Sequence, residues 1–176
     1  GIDTADGGEG NDTIYGGDGD DMLYGSAGDD FVDAGNDSDY VSGGDGADTL
    51  LGRGGNDILD AGAGADTITG GGGADVFAFG AALGGGNIDT ITDFSVADDT
   101  IHLARSIFTE INPLDLNANA FVIGTAATTA DHRIIYDPAT GALYYDADGN
   151  GAGAAVQFAT IGTGLALSEQ DFFGVG

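Results

Sequence analysis

The chain contains no cysteine, which removes a disulfide framework, a thiolate metal site and a cysteine nucleophile together. Basic residues are almost as scarce. Three stand against thirty acidic ones, and the net charge of -27 repels nucleic-acid phosphates and anionic membranes while favouring cations as partners. No apolar run is long enough to span a bilayer. The two histidines, His102 and His132, lie 30 residues apart with no GxSxG or HExxH pattern near either, so no catalytic constellation is legible and the chain is not expected to be an enzyme. It also lacks an initiator methionine and a secretory signal peptide, and the expectation is a piece of something longer.

What remains is unevenly distributed. Of 176 residues, the first 79 hold 22 of the 35 glycines and 18 of the 30 acids, whereas residues 80–176 hold most of the aromatics and longer apolar strings. Two regions with different stabilising physics are expected, divided at 79/80.

The first region is a repeat. From Gly7 to Ala78 a nine-residue unit, GGxGxDxUx with U a large apolar residue, recurs eight times without insertion or deletion. Its aspartates are Asp12, Asp21, Asp30, Asp39, Asp48, Asp57, Asp66 and Asp75, and its U residues are Ile14, Leu23, Val32, Val41, Leu50, Leu59, Ile68 and Phe77. Residues 1–6 fit the end of one more unit, with Asp3 nine before Asp12, as though the array were cut inside. Three residues after each loop suffice for a very short strand with one side chain inward. Two units then make an 18-residue coil, and stacked coils pair as parallel strands around the U residues. Four coils span roughly 19 Å at about 4.8 Å per strand step.

The loop glycines answer a need for positive φ and for close approach to the loop above. Ser26, Asp37 and Arg53 replace glycine in three loops, where distortion without a break is expected, most of all around Asp39 and Asp57. Stacking sets each aspartate above another 18 residues away, a column that repels itself unless a cation lies between. Carboxylates and exposed carbonyls are the hard oxygen ligands calcium prefers; magnesium demands a stricter octahedron, and zinc favours histidine or cysteine, which the array lacks.

These nonapeptides resemble the RTX (repeats-in-toxin, hemolysin-type) calcium-binding repeats of proteins exported by type I secretion. The resemblance implies an all-β fold, a right-handed parallel β-roll followed by a β-rich cap. It also implies ligands: the second and fourth carbonyls and the aspartate of one loop, with the first and third carbonyls and the aspartate of the loop one coil on. Carried onto this sequence, Gly8, Gly10 and Asp12 join Gly25, Ala27 and Asp30, and on the opposite side Gly17, Gly19 and Asp21 join Ala34, Asn36 and Asp39. Ser26, Gly28 and Asp30 join Gly43, Asp45 and Asp48, while Gly35, Asp37 and Asp39 join Gly52, Gly54 and Asp57. Gly44, Gly46 and Asp48 join Ala61, Ala63 and Asp66, and Arg53, Gly55 and Asp57 join Gly70, Gly72 and Asp75. That makes six sites. Each repeat buries about one apolar side chain, worth roughly 1.5 to 3 kcal/mol, against about 1 to 2 kcal/mol of backbone ordering per residue. The array is therefore expected to be disordered without calcium and to fold as the ions enter.

Beyond Phe79, Asp89–Phe94 and Asp99–Leu103 alternate with period two and read as strands. They resemble the DxIxDF and DxIxL segments after the last repeats of secreted metalloprotease and mannuronan epimerase modules, although His102 departs from a common acid. Asp3, Asp89, Asp93 and Asp99 are further candidate ligands; the alternative for the last three is that they are turn and strand-edge acids. A short helix is expected within Leu103–Leu116, ending before Pro113, with Ile107, Phe108, Ile111 and Leu114 apolar. Strands are expected at Phe121–Gly124, Arg133–Tyr136, Ala142–Tyr145 and Ala155–Ala159, the middle two joined as a hairpin through Asp137–Gly141.

Asp146, Asp148 and Asn150 match the first positions of an EF-hand loop, but Gln157 stands where a bidentate glutamate belongs, so a calcium site and a polar turn both remain open. Tyr136, Tyr144 and Tyr145 suit either a sugar platform, implying an acidic polysaccharide partner as in the epimerase modules, or the core. The tail 165–176 resembles an uncleaved type I export signal, the alternative being a closing strand. Calcium, the type I secretion machinery and a secreted location are the expected partners and setting.

Overall fold

The computed structural model describes residues 1–111 and 116–176. Nine strands follow the repeat: β1 (Thr4–Glu9), β2 (Thr13–Asp18), β3 (Met22–Ala27), β4 (Phe31–Asn36), β5 (Tyr40–Asp45), β6 (Thr49–Gly54), β7 (Ile58–Ala63), β8 (Thr67–Gly72) and β9 (Val76–Phe79). Most are six residues long, not three. The second and third residues of each loop also join the ladder and pair with their equivalents one coil away, as Gly8 does with Ser26 and Glu9 with Ala27. Odd strands form one parallel sheet and even strands the other, with partners 18 residues apart throughout. The U residues fill the space between: Leu23, Val32, Val41, Leu50, Leu59, Ile68 and Phe77 are all fully buried.

Both sheets run on past Phe79. After β10 (Asp89–Ile91) and β11 (Thr100–Ala104) come β12 (Phe121–Ile123), β13 (Ile134–Asp137), β14 (Ala142–Tyr145) and β15 (Val156–Thr160), then a 3₁₀ turn (Glu169–Asp171) and β16 (Phe172–Val175). β10 pairs parallel with β8 on one side and with β15 on the other. β11 lies between β9 and β16, so the last strand of the chain closes the odd-strand sheet, held at its start by a capping box in which Ser168 and Asp171 exchange hydrogen bonds. The β13–β14 hairpin turns at Gly141, whose φ is 78°. The fold is thus an all-β parallel roll continued by a β-rich cap.

An aromatic cluster seals the junction. Phe79 and Phe108 each pack edge-on against Phe158 at 5.2 Å, and Phe108 against Tyr145 at 5.1 Å. The helix expected after Leu103 does not form over residues 105–111. The Ile107 and Phe108 N–H groups both donate to Ala104 O, one turn that is not propagated, because burying Phe108 in the cluster fixes the chain there. Pro113 and Leu114 lie outside the described residues.

Candidate metal centres between the stacked loops

Each loop takes positive φ at the second and fourth positions of its unit. Three of these places hold a residue other than glycine: Ser26 (φ 81°), Asp37 (φ 76°) and Arg53 (φ 79°), the left-handed conformation that costs an L-residue about 1 to 2 kcal/mol. Each side chain finds a partner. Ser26 Oγ donates to Asp6 Oδ1 at 2.7 Å, the Asp37 carboxylate accepts the Gly19 N–H at 3.1 Å, and Arg53 pairs with Asp33 at 2.7 Å. The coils hold register here, so the expected absence of a break is seen. The distortion is local: the fourth-position N–H donates to the third-position carbonyl one coil on at Gly10, Gly19, Gly28, Gly46 and Gly55, and among the described residues this bond is missing at Asp37.

The repeat aspartates form two columns. In each, the backbone N–H of one aspartate donates to Oδ1 of the aspartate 18 residues on: Asp12 to Asp30, Asp30 to Asp48 and Asp48 to Asp66 on one side, all at 2.8 Å. On the other side Asp21 donates to Asp39, Asp39 to Asp57 and Asp57 to Asp75, at 2.8 to 2.9 Å. The second oxygen is left over. Oδ2 of Asp12, Asp21, Asp30, Asp39, Asp48, Asp57, Asp66 and Asp75 is buried with no hydrogen-bond partner. A buried, unpartnered carboxylate oxygen is too costly to repeat eight times without a compensating charge.

Carbonyls converge on the same places. A methyl built on Gly25 would lie 2.5 Å from both Asp30 Oδ2 and Gly43 O, and one on Gly7 would lie 2.7 Å from Asp12 Oδ2 and 2.8 Å from Gly25 O. The same meeting of an aspartate oxygen with the first carbonyl of the next coil recurs for Asp21 with Ala34, Asp48 with Ala61 and Asp57 with Gly70. The second- and fourth-position carbonyls point along the stack at the next loop, as Gly10 O does toward Gly28 and Ser26 O toward Gly44. The third-position carbonyls of Ala27, Asn36, Asp45, Ala63 and Gly72 accept one N–H each and keep a second lone pair. Among the described residues no three His, Cys, Asp or Glu side chains converge, so a cation here must draw on the backbone. Crowded oxygens without a facing donor fit a hard cation of high coordination number.

Burial pushes the carboxyl pKa of Asp48 and of Asp57 up to about 6, with aspartates above and below adding to the rise. Asp39, Asp66 and Asp75 move upward for the same first reason. In water-excluded surroundings the charged form needs a counter-ion it does not find in the protein.

Other candidates behave differently. The Asp3 N–H donates to Asp21 Oδ1 at 2.7 Å, which extends that column by one backbone step. Asp99 continues the same column past Asp75, but both its oxygens are engaged, Oδ1 by the Asp75 N–H and Oδ2 by the Ser95 N–H. Asp93 accepts the N–H groups of Gly70 and Gly71 at 3.0 and 2.8 Å. Asp146 is buried beside exposed Asp148, whose carboxylate turns back onto the Gly153 N–H, while the Asn150 N–H donates to Thr129 O. Tyr136 and Tyr145 are core residues whose hydroxyls bond to backbone groups of Gly162, Leu165 and Glu110, leaving Tyr144 alone half-exposed; the three do not form a sugar platform.

One ladder escaped the sequence reading. At five of the eight units the residue before the column aspartate accepts the equivalent N–H of the next coil: Asn11 from Asp29, Asp29 from Ala47, Asp20 from Ser38, Ser38 from Asn56 and Asn56 from Ala74. Its signal is the short Asn, Asp or Ser at that position, the residues that favour local side-chain to backbone bonds.

The family model for the RTX calcium-binding nonapeptide repeat (4 copies) matches residues 1–32, 18–50 and 51–81. Among curated proteins none matches significantly by sequence. The solution structure of the AlgE6R2 subunit of the Azotobacter vinelandii mannuronan C5-epimerase is similar with a TM-score of 0.50 at 19% identity, over 98% of this chain and 91% of that one. That likeness concerns the fold. The AlgE6R3 subunit of the same enzyme aligns at 26% identity with a TM-score of 0.48, over 92% of this chain and 78% of that one.

Proposed function

Residues 1–81 carry RTX calcium-binding nonapeptide repeats folded as a β-roll, and from this we propose that the chain holds six calcium ions between its coils and folds on binding them outside the cell. The eight buried Oδ2 atoms without partners carry the reading. Each ion takes two column aspartates and four carbonyls, in the six sets from Asp12 with Asp30 to Asp57 with Asp75. Six ions bring +12 to a region whose formal charge is 18 acids less Arg53, or -17. Where free calcium is low the column repels itself and the chain stays extended, fit for a narrow export channel; outside, calcium drives the roll together.

In this reading residues 1–79 are the calcium roll and 80–176 the cap, with 165–176 serving type I export. Its role is binding and folding, with no catalytic step. Asp146, Asp148 and Asn150 have no part in it, since the Asp148 carboxylate accepts the Gly153 N–H and the Asn150 amide donates to Thr128 O. An acidic polysaccharide partner gains little support, since two of the three candidate tyrosines are buried and Arg53, the roll's lone basic residue, is paired with Asp33. Native mass spectrometry of the calcium-loaded chain tests the proposal: at least six retained ions are expected, and two or fewer would overturn it.

A further inference from the structure

Residues 84–92 read Gly-Gly-Gly-Asn-Ile-Asp-Thr-Ile-Thr. Against GGxGxDxUx this is a ninth unit, with asparagine at the fourth position, Asp89 at the aspartate and Ile91 at U. Five residues, 79–83, separate it from the eighth unit and hide it from a search at constant period. In the structure the extra residues loop out and the unit returns to register. Ile91 pairs with Ile68 and is buried like the U residues before it, and the Thr90 N–H donates to Asp66 O at 2.7 Å, as the Thr67 N–H does to Asp48 O at 2.8 Å. The Asp66 N–H donates to Asp89 Oδ1 at 3.1 Å, the column bond one coil further. Asn87 Oδ1 accepts the Gly64 N–H, a bond that earlier loops give to a third-position carbonyl.

The two columns therefore end unlike one another. On the Asp75 side the following segment, 94–102, keeps an aspartate but no glycine, and Ser95 fills the free oxygen of Asp99. On the Asp66 side Asp66 Oδ2 is buried and unpartnered, Asp66 and Asp89 are each 1% exposed, and their carboxylates lie against one another. Gly84 O and Gly86 O each accept one N–H from within their own loop, which leaves a lone pair on each. Two buried carboxylates side by side, facing only backbone donors among the described residues, are an uncompensated charge at one of the contacts between roll and cap.

We propose that residues 84–92 are a degenerate repeat completing a seventh calcium site with Asp66, built from both carboxylates and from the Gly62, Gly64, Gly84 and Gly86 carbonyls. The site rests on the reading of the roll as a calcium binder and extends it. Because β10 pairs with β8 and β15, this ion ties the last coil to the cap, and the cap cannot detach without losing a ligand.

Calcium stoichiometry of the full chain and of Asp89→Asn, by calorimetry and native mass spectrometry, tests it. Asparagine keeps the oxygen that accepts the Asp66 N–H and removes the charge. The variant should fold in calcium and hold one ion fewer than the parent. An equal count would overturn the seventh site while leaving the roll intact, whereas a parent chain that binds no calcium would overturn the roll reading itself. Should Asp89→Asn fail to fold, crystals of the parent chain grown with terbium decide the matter: an anomalous peak between Asp66 and Asp89 is expected, and peaks confined to the six upstream sites would refute the proposal.

Discussion

The backbone N–H of Asp39 donates to Oδ1 of Asp57 at 2.9 Å, and the N–H of Asp57 donates in turn to Oδ1 of Asp75 at the same distance. Asp57 is thus both the acceptor from one coil and the donor to the next, and its free Oδ2 stands between two candidate sites.

Sharing of this kind makes interior and terminal aspartates unequal. Asp57→Ala should remove two ions and Asp12→Ala one, the interior change raising the calcium concentration needed for half-folding by the larger factor. Titration of both variants followed by far-UV circular dichroism checks this. Equal midpoints would contradict shared ligation.

Glycines within one loop should differ sharply. Gly44 has φ 109°, and an added Cβ would meet the Ser26 Cα at 2.9 Å, so Gly44→Ala should cost about 1 to 2 kcal/mol for the left-handed conformation and about 1 to 3 kcal/mol more for overpacking. Gly54 has ordinary φ, and its nearest atom is Asn36 Oδ1 at 3.9 Å; Gly54→Ala should stabilise by about 0.4 to 1 kcal/mol. Thermal melts in saturating calcium measure both.

The nine-residue period made the columns, the inward residues and the alternation of sheets legible in the sequence, because eight consecutive units run without insertion or deletion. Units such as the one at 84–92 escaped, since five added residues break the period while the strand can still return to register. In the cap, the β13–β14 hairpin was readable from Asp137, Pro138 and Gly141, whereas the turn at 105–111 was not: the apolar spacing of Ile107, Phe108 and Ile111 suits a helix, and the aromatic cluster around Phe158 overrides it. The closing role of β16 is set by pairing with β11, a contact between residues about seventy apart that local pattern cannot carry.

Acidity should partly replace calcium. Burial raises Asp48 and Asp57 to about 6 and Asp89 to about 7 in the folded chain, against about 3.9 for an unfolded aspartate. The folded state then binds more protons, so the contribution to stability is fully present below the unfolded pKa and is lost as pH rises through the folded values. In excess chelator, β structure should increase from pH 7 to about pH 5, short of the pI of 4.1, and be lost on return. A spectrum that is flat or weakens on acidification would contradict this.

Arg53 gives a local probe of the roll. It lies within paired strand β6, and a protease specific for arginine has two other sites, Arg105 and Arg133. Cleavage at Arg53 should be slow in calcium and rapid in chelator; comparable rates would mean that the roll persists without the ion.

Calcium-coupled folding is tested most directly by following the far-UV circular dichroism and hydrodynamic radius of the chain as calcium is removed with excess chelator at neutral pH. A loss of the β signal with expansion of the chain, both reversed by added calcium, is the predicted result. A spectrum and a radius that do not change would contradict it.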